Sequence, residues 1–113
     1  QGLATPASVR SLPTSADQED HNANATTAAR TLALVVEHLE QLVAIELLVA
    51  AQAHELRRRS LPGVSPGPAT SAIQQRVRER VPFLERDDLM APHIDSLVDL
   101  VRSDGWIPET SAG

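Results

Sequence analysis

Gln18, Glu19, Asp20 and His21 stand in a row at the mouth of a long apolar stretch. Four such groups together have two chemical uses. The first N–H groups of a helix have no partner inside it, so Gln18 and Asp20 suit a helix start that needs acceptors. A carboxylate such as Glu19 can also accept a charge-assisted hydrogen bond from a polar ligand. The two uses are compatible, because one side chain caps while its neighbour points into a pocket. A helix N-terminus favours an anion nearby, so a ligand carboxylate fits within reach.

Other candidates carry less. His38, His54 and His93 show no metal-ligand spacing, and no HExxH pattern occurs, so no metal site is expected. There is no Cys, which removes thiolate chemistry and disulfides. The many Ser residues lack a supporting base. Arg57, Arg58 and Arg59 read as a solvated helix end, favourably placed near the negative pole of the helix. Glu46, amid LVAIELLVAA, needs a partner wherever it is buried.

Composition narrows the class. The chain has 113 residues, so one domain or part of one is expected. Net charge is -5 and all ten basic residues are Arg, which speaks against a general nucleic-acid binder. Aromatic residues make up only 2%, so the core must come from Leu, Val, Ile and Ala. No apolar run is long enough to span a bilayer. A cytoplasmic location is expected. The chain opens on Gln1-Gly2 without Met, which reads as a processed start or a piece of something longer.

The elements that would position the polar cluster follow from pattern. Residues 1–21 carry Pro6 and Pro13 and read as an extended or loop segment. Ser15 with Gln18 fits a capping box, and Asp20 and Asn22 are further N-cap candidates. A long buried helix is expected over 22–59, starting somewhere from 18 to 25. From Ala28 to Leu56 there is neither Gly nor Pro, a rod of roughly 43 Å. Val35, Leu39, Leu42, Val49, Ala53 and Leu56 follow a 4-3 spacing that Glu46 interrupts. Leu32, Val36, Val43, Leu47 and Ala50 form a second stripe, and Leu34, Ile45 and Leu48 point in a third direction. A helix apolar nearly all round requires burial nearly all round. A Pro/Gly loop over 60–68 follows. Two short helices are expected within 69–105, at Ala69 to Val81 and from about Pro92 to Ser103. Ile73, Val77 and Val81 give the first one apolar side. Ile94, Leu97, Val98 and Val101 give the second its own. Gly105 is the expected stop, and 106–113 a tail.

Two single-faced helices cannot surround such a rod. Burying a Leu or Val is worth about 1.5–3 kcal/mol, so a few left wet offset the whole stability of a typical domain. The chain is therefore expected to pack into a larger helical body.

The stretches ASVRSLPTSADQEDH, TAAR, VVEHLEQLVAIELLVAAQAHELR and VPFLERDDLMAPHIDSLVDLVRSDG resemble the C-terminal region of histidine ammonia-lyase and its relatives, the aromatic amino acid ammonia-lyases and aminomutases. The resemblance covers about residues 5 to 105. It implies an all-α fold in which a long central helix and short helices belong to a larger multi-helix bundle, shared among four subunits. It implies a methylidene-imidazolone electrophile made from Ala-Ser-Gly. That tripeptide does not occur here; the nearest strings are Ala7-Ser8-Val9 and Ser111-Ala112-Gly113. The electrophile is thus expected on another segment or chain, and the expected partners are a larger N-terminal segment or large subunit and an amino acid substrate.

By the same resemblance Glu19 is the catalytic candidate, with Gln18 beside it as a substrate contact. Asp20 and His21 are expected to be structural near the site. Histidine-type members carry Glu at this place of the motif and phenylalanine-type members Gln, so the resemblance implies a polar substrate or a partly protonated Glu19. A carboxylate can orient an imidazole N–H, whereas against a phenyl ring it is a buried charge without a partner. The family commonly continues QEDHVSMG; here Asn22, Ala23 and Asn24 stand instead. The expected function is that of a C-terminal fragment or small subunit of an ammonia-lyase or aminomutase, contributing one wall of the active site and the oligomer core. The alternatives are a non-catalytic structural or assembly subunit and, more weakly, a free-standing helical interaction module.

Overall fold

The computed structural model describes residues 2–10 and 24–107. These residues form two 3-10 turns, Gly2–Ala4 and Ala7–Arg10, and three α-helices: α1 (Ala25–Ser60), α2 (Pro68–Arg80) and α3 (Met90–Arg102). No strand occurs among the described residues, so the fold is all-α. The chain divides into two compact units, Gln1–Leu39 and Glu40–Gly113, with α1 running through the division.

In the first unit the turns pack beside the start of α1. Leu3, Pro6 and Ala7 face Ala28, Leu32 and Val35 across an open crevice. The N–H of Val9 donates to the carbonyl of Pro6 at 3.3 Å and closes the second turn. The expected loop therefore holds local order, although none of its described residues is buried.

The second unit holds the core. Ala44, Leu48 and Ala51 lie on one face of α1, Val77 and Val81 come from α2 and its end, and Leu97, Val98 and Leu100 come from α3. Leu47, Ile73, Met90, Ile94 and Trp106 close around them. Ala44 and Ala51 are the small residues of the α1 face in this cluster. Pro68 opens α2, where its missing N–H costs nothing. Ser103 follows α3, its hydroxyl donating to the carbonyl of Leu100 at 2.6 Å. Gly105 takes a φ of 71° in the turn beyond, a conformation that Gly adopts without strain.

Side chains lock this packing. The amide of Gln52 on α1 treats the backbone of Leu84 like a neighbouring strand. Its Nε2 donates to the Leu84 carbonyl at 2.6 Å, and its Oε1 accepts from the Leu84 N–H at 3.2 Å. Arg102 at the end of α3 grips Glu40 on α1 through two nitrogens, at 2.6 and 2.8 Å. Gln52→Ala is expected to lower the unfolding free energy by about 1–3 kcal/mol, because a half-buried N–H and carbonyl lose their partners together. Urea unfolding followed by circular dichroism measures it.

Burial of α1 differs from the expectation of a helix buried on all sides. Within this chain only Ala44, Leu48 and Ala51 of α1 are buried. Leu32, Val36 and Leu39 in the first unit are exposed, as are Leu42, Ile45, Val49 and Leu56 in the second. Within the second unit the reason is geometric: α2 and α3 have one apolar face each and cover one side of that part of α1. Glu46 is exposed as well, with no ion pair among the described residues.

Candidate functional site

Gln18, Glu19, Asp20 and His21 lie outside the described residues, as do Ser15, Asn22 and Ala23. The residues on either side of that stretch are described. Asn24 precedes α1 with a φ of 48°, in the left-handed region where Asn is better tolerated than most residues. Its carbonyl accepts from the N–H of Ala28 at 2.9 Å, which is the first turn of α1. Its side-chain Nδ2 donates to the carbonyl of Ala7 at 3.3 Å. Asn24 thus starts the helix and ties it to the turn at Ala7–Arg10, seventeen residues back. The sequence between these two anchors carries all four candidate residues.

The pattern reading named Ser15, Asp20 and Asn22 as cap candidates and missed Asn24 in that role. The available signal was an Asn directly before the Ala-rich opening of α1. Asn24 is also among the positions where the chain leaves QEDHVSMG, so the departure falls on the residue that sets the start of the helix.

Ala7-Ser8-Val9, the string nearest to Ala-Ser-Gly, lies in the second 3-10 turn. Its third residue is Val, whose β-branched side chain crowds the backbone nitrogen that Gly leaves open to cyclisation. The described residues do not fit the electrophile, and Ala-Ser-Gly is absent from the sequence.

The far end of α1 carries a second polar group. Glu55 accepts from Arg58 at 2.8 Å and from Arg59 at 3.2 Å. Arg59 lies over the ring of Phe83 at 3.9 Å, a cation–π distance, and reaches Glu85 at 3.8 Å. Arg78 donates to the carbonyl of Pro82 at 2.9 Å, and burial lowers its pKa. The arginine run is therefore partly engaged in holding the chain at 82–85 against α1, rather than a wholly solvated end. At the start of α3, Asp88 accepts from His93 at 3.1 Å and from the N–H of Leu89 at 2.7 Å. The His93 hydrogen bond, followed by that of Leu89, holds the Asp88 carboxyl below its ordinary range.

Glu55 is held down from the ordinary 4.5 to about 2, chiefly by the hydrogen bond from Arg58, with burial opposing and Arg59 adding to it. A depressed carboxyl stabilises the fold above its unfolded pKa and loses that contribution as protons bind. The Glu55 tie is therefore complete above pH 4.5 and fades as pH falls towards 2. In Glu55→Gln the acid-side loosening of the α1 end is expected to disappear, which amide exchange at residues 82–85 across that range reads directly.

His54 completes the survey. Its Nδ1 is buried without a hydrogen-bond partner, beside a crevice lined by Leu47, Ala51, Ile73 and Val77. Among the described residues no group of His, Asp and Glu is arranged to hold a metal ion. No helix among them is long and apolar enough to cross a membrane.

Comparison with known proteins supplies the remaining constraint. The model of the family "Aromatic amino acid lyase" matches residues 1–79. The chain is 46% identical over 104 residues to the histidine ammonia-lyase of Symbiobacterium thermophilum, covering 89% of this chain and 19% of that protein. It is 41% identical over 107 residues to the histidine ammonia-lyase of Gloeobacter violaceus, covering 95% and 20%. With that of Chloroflexus aurantiacus the identity is 39% over 100 residues, covering 88% and 19%. The chain spans about a fifth of the length of these relatives. On the matched segment, which takes in the QEDH motif and all of α1, this chain belongs to the aromatic amino acid lyase family.

Proposed function

We propose that this chain acts as the C-terminal part of an ammonia-lyase for an aromatic or imidazole amino acid such as histidine. The observation that carries this reading is the match to histidine ammonia-lyases over nearly nine-tenths of the chain or more, with Glu in the QEDH motif. The reaction removes the amino group from Cα and a proton from Cβ, leaving an unsaturated acid and ammonia. In it Glu19 accepts a hydrogen bond from the imidazole N–H and fixes the ring, and it can take up a proton. Gln18 supplies a neutral contact beside it. Asp20 and His21 hold the segment in shape. In this reading the methylidene-imidazolone, which activates the amine for departure, sits on Ala-Ser-Gly of another segment or chain.

The exposed apolar surface of α1 supports the assembly side of the reading. In the complete enzyme that surface is covered by the remaining four-fifths of the protein and by neighbouring subunits. The test is to produce the chain together with the segment that carries Ala-Ser-Gly. A stable complex that releases ammonia and forms an unsaturated acid from histidine is expected. A complex that assembles but lacks turnover would support the other reading, a structural subunit, to which Asn22, Ala23 and Asn24 give the motive.

A further inference from the structure

The second unit leaves a row of α1 residues bare: Leu42, Val49, Ala53 and Leu56, at the 4-3 spacing of a helix-pairing seam, with Glu46 in their midst. Beside the row lies a groove walled by Leu48, Leu84 and Met90, with Gln52 the one polar residue of its lining. An apolar seam at this spacing accepts another helix, and a polar residue within it selects the partner. We propose that the seam takes a helix unlike itself, one that presents an Arg or Lys opposite Glu46, and that Glu46 bars a second copy of this chain from the same surface. This rests on the assembly reading above and adds the chemistry of the partner.

The selection follows from charge. In any parallel in-register pairing of two copies, Glu46 faces Glu46, and two carboxylates are forced together out of water. In any shifted or antiparallel pairing, Glu46 faces Leu42, Val49 or Ala53 and is buried without a partner. Both are costly. A helix of the same apolar pattern with a cation at that point turns the penalty into a charge-assisted contact. Glu46 has no ion pair among the described residues, so its carboxylate is available.

The test uses the full chain and a charge-swapped probe, Glu46→Lys, with circular dichroism to check that each variant keeps its helix content. Sedimentation equilibrium compares each protein alone with the 1:1 mixture. Mixed pairs of wild type and Glu46→Lys are expected to be at least tenfold tighter than either self-pair. Glu46→Leu is expected to self-associate at least tenfold more tightly than wild type. Should Glu46→Lys lose its helix, Glu46→Leu and Glu46→Gln against wild type still give the comparison. Wild type that pairs as tightly as Glu46→Leu, association that does not depend on residue 46, or no association in any combination overturns the proposal. The lyase reading would survive each of those results, because its own test is turnover in the assembled enzyme.

Discussion

Glu19→Gln in the assembled enzyme is expected to cut kcat/KM for histidine by about 10–100-fold, the range that corresponds to one hydrogen bond to a charged group at roughly 1.5–3 kcal/mol. The loss should be selective. Gln has the size of Glu and still offers an oxygen, so the shape of the site survives. What disappears is the charge that strengthens the hydrogen bond from an imidazole N–H. In the proposed function a plain phenyl ring offers that carboxylate no partner, so relative activity on such a substrate should rise on the same change. Steady-state kinetics with histidine and phenylalanine side by side measure both directions. Equal losses on the two substrates would mean that Glu19 does not face the ring.

The second large effect concerns stability. Leu97→Ala is expected to lower the unfolding free energy by about 2–5 kcal/mol, the range for truncating a fully buried Leu. Leu97 is fully buried at the centre of the contact among the three helices. Val77 and Val81 of the same cluster are equally enclosed, so the truncation leaves a cavity inside the core. Among the described residues the core comprises eight buried ones, and losing one of its largest is a considerable fraction of what holds α2 and α3 to α1. Denaturant unfolding of Leu97→Ala beside Asp99→Ala, which alters an exposed position on the same helix, separates packing from helix propensity.

The helices were legible because their signals are local. The unbroken run after Ala28 and the spacing of Ile73 and Val77 mark α1 and α2 within a turn or two of where the structure has them, although Pro68, read as loop, opens α2. The apolar faces of α2 and α3 were readable for the same reason. The face of α1 that meets them was less so. Ala44 is fully buried and belongs to none of the three stripes read from the sequence. An alanine adds little apolar area to a pattern, yet it determines where another helix can come close. Leu100 was likewise left out of the α3 face and is buried in the same cluster. The Gln52 clamp on Leu84 was invisible, since its partner is backbone 32 residues away. At the candidate site the residue types of Gln18 and Glu19 and the chemistry they permit were readable. The anchoring role of Asn24 was not, because it depends on a left-handed backbone and on a carbonyl at Ala7.

The apolar flanks of α1 decide the account. The chain has no Cys, so Leu42→Cys and Val49→Cys each place a single thiol on a flank that this chain leaves open. Labelling by a maleimide, read by mass spectrometry on the peptide that carries the thiol, compares the chain by itself with the assembled enzyme. The rate is expected to fall by about 100-fold or more on assembly, as when access requires a local opening of ~3 kcal/mol. Equal labelling rates in the two states would leave those side chains in water and contradict the claim that foreign segments enclose the rod.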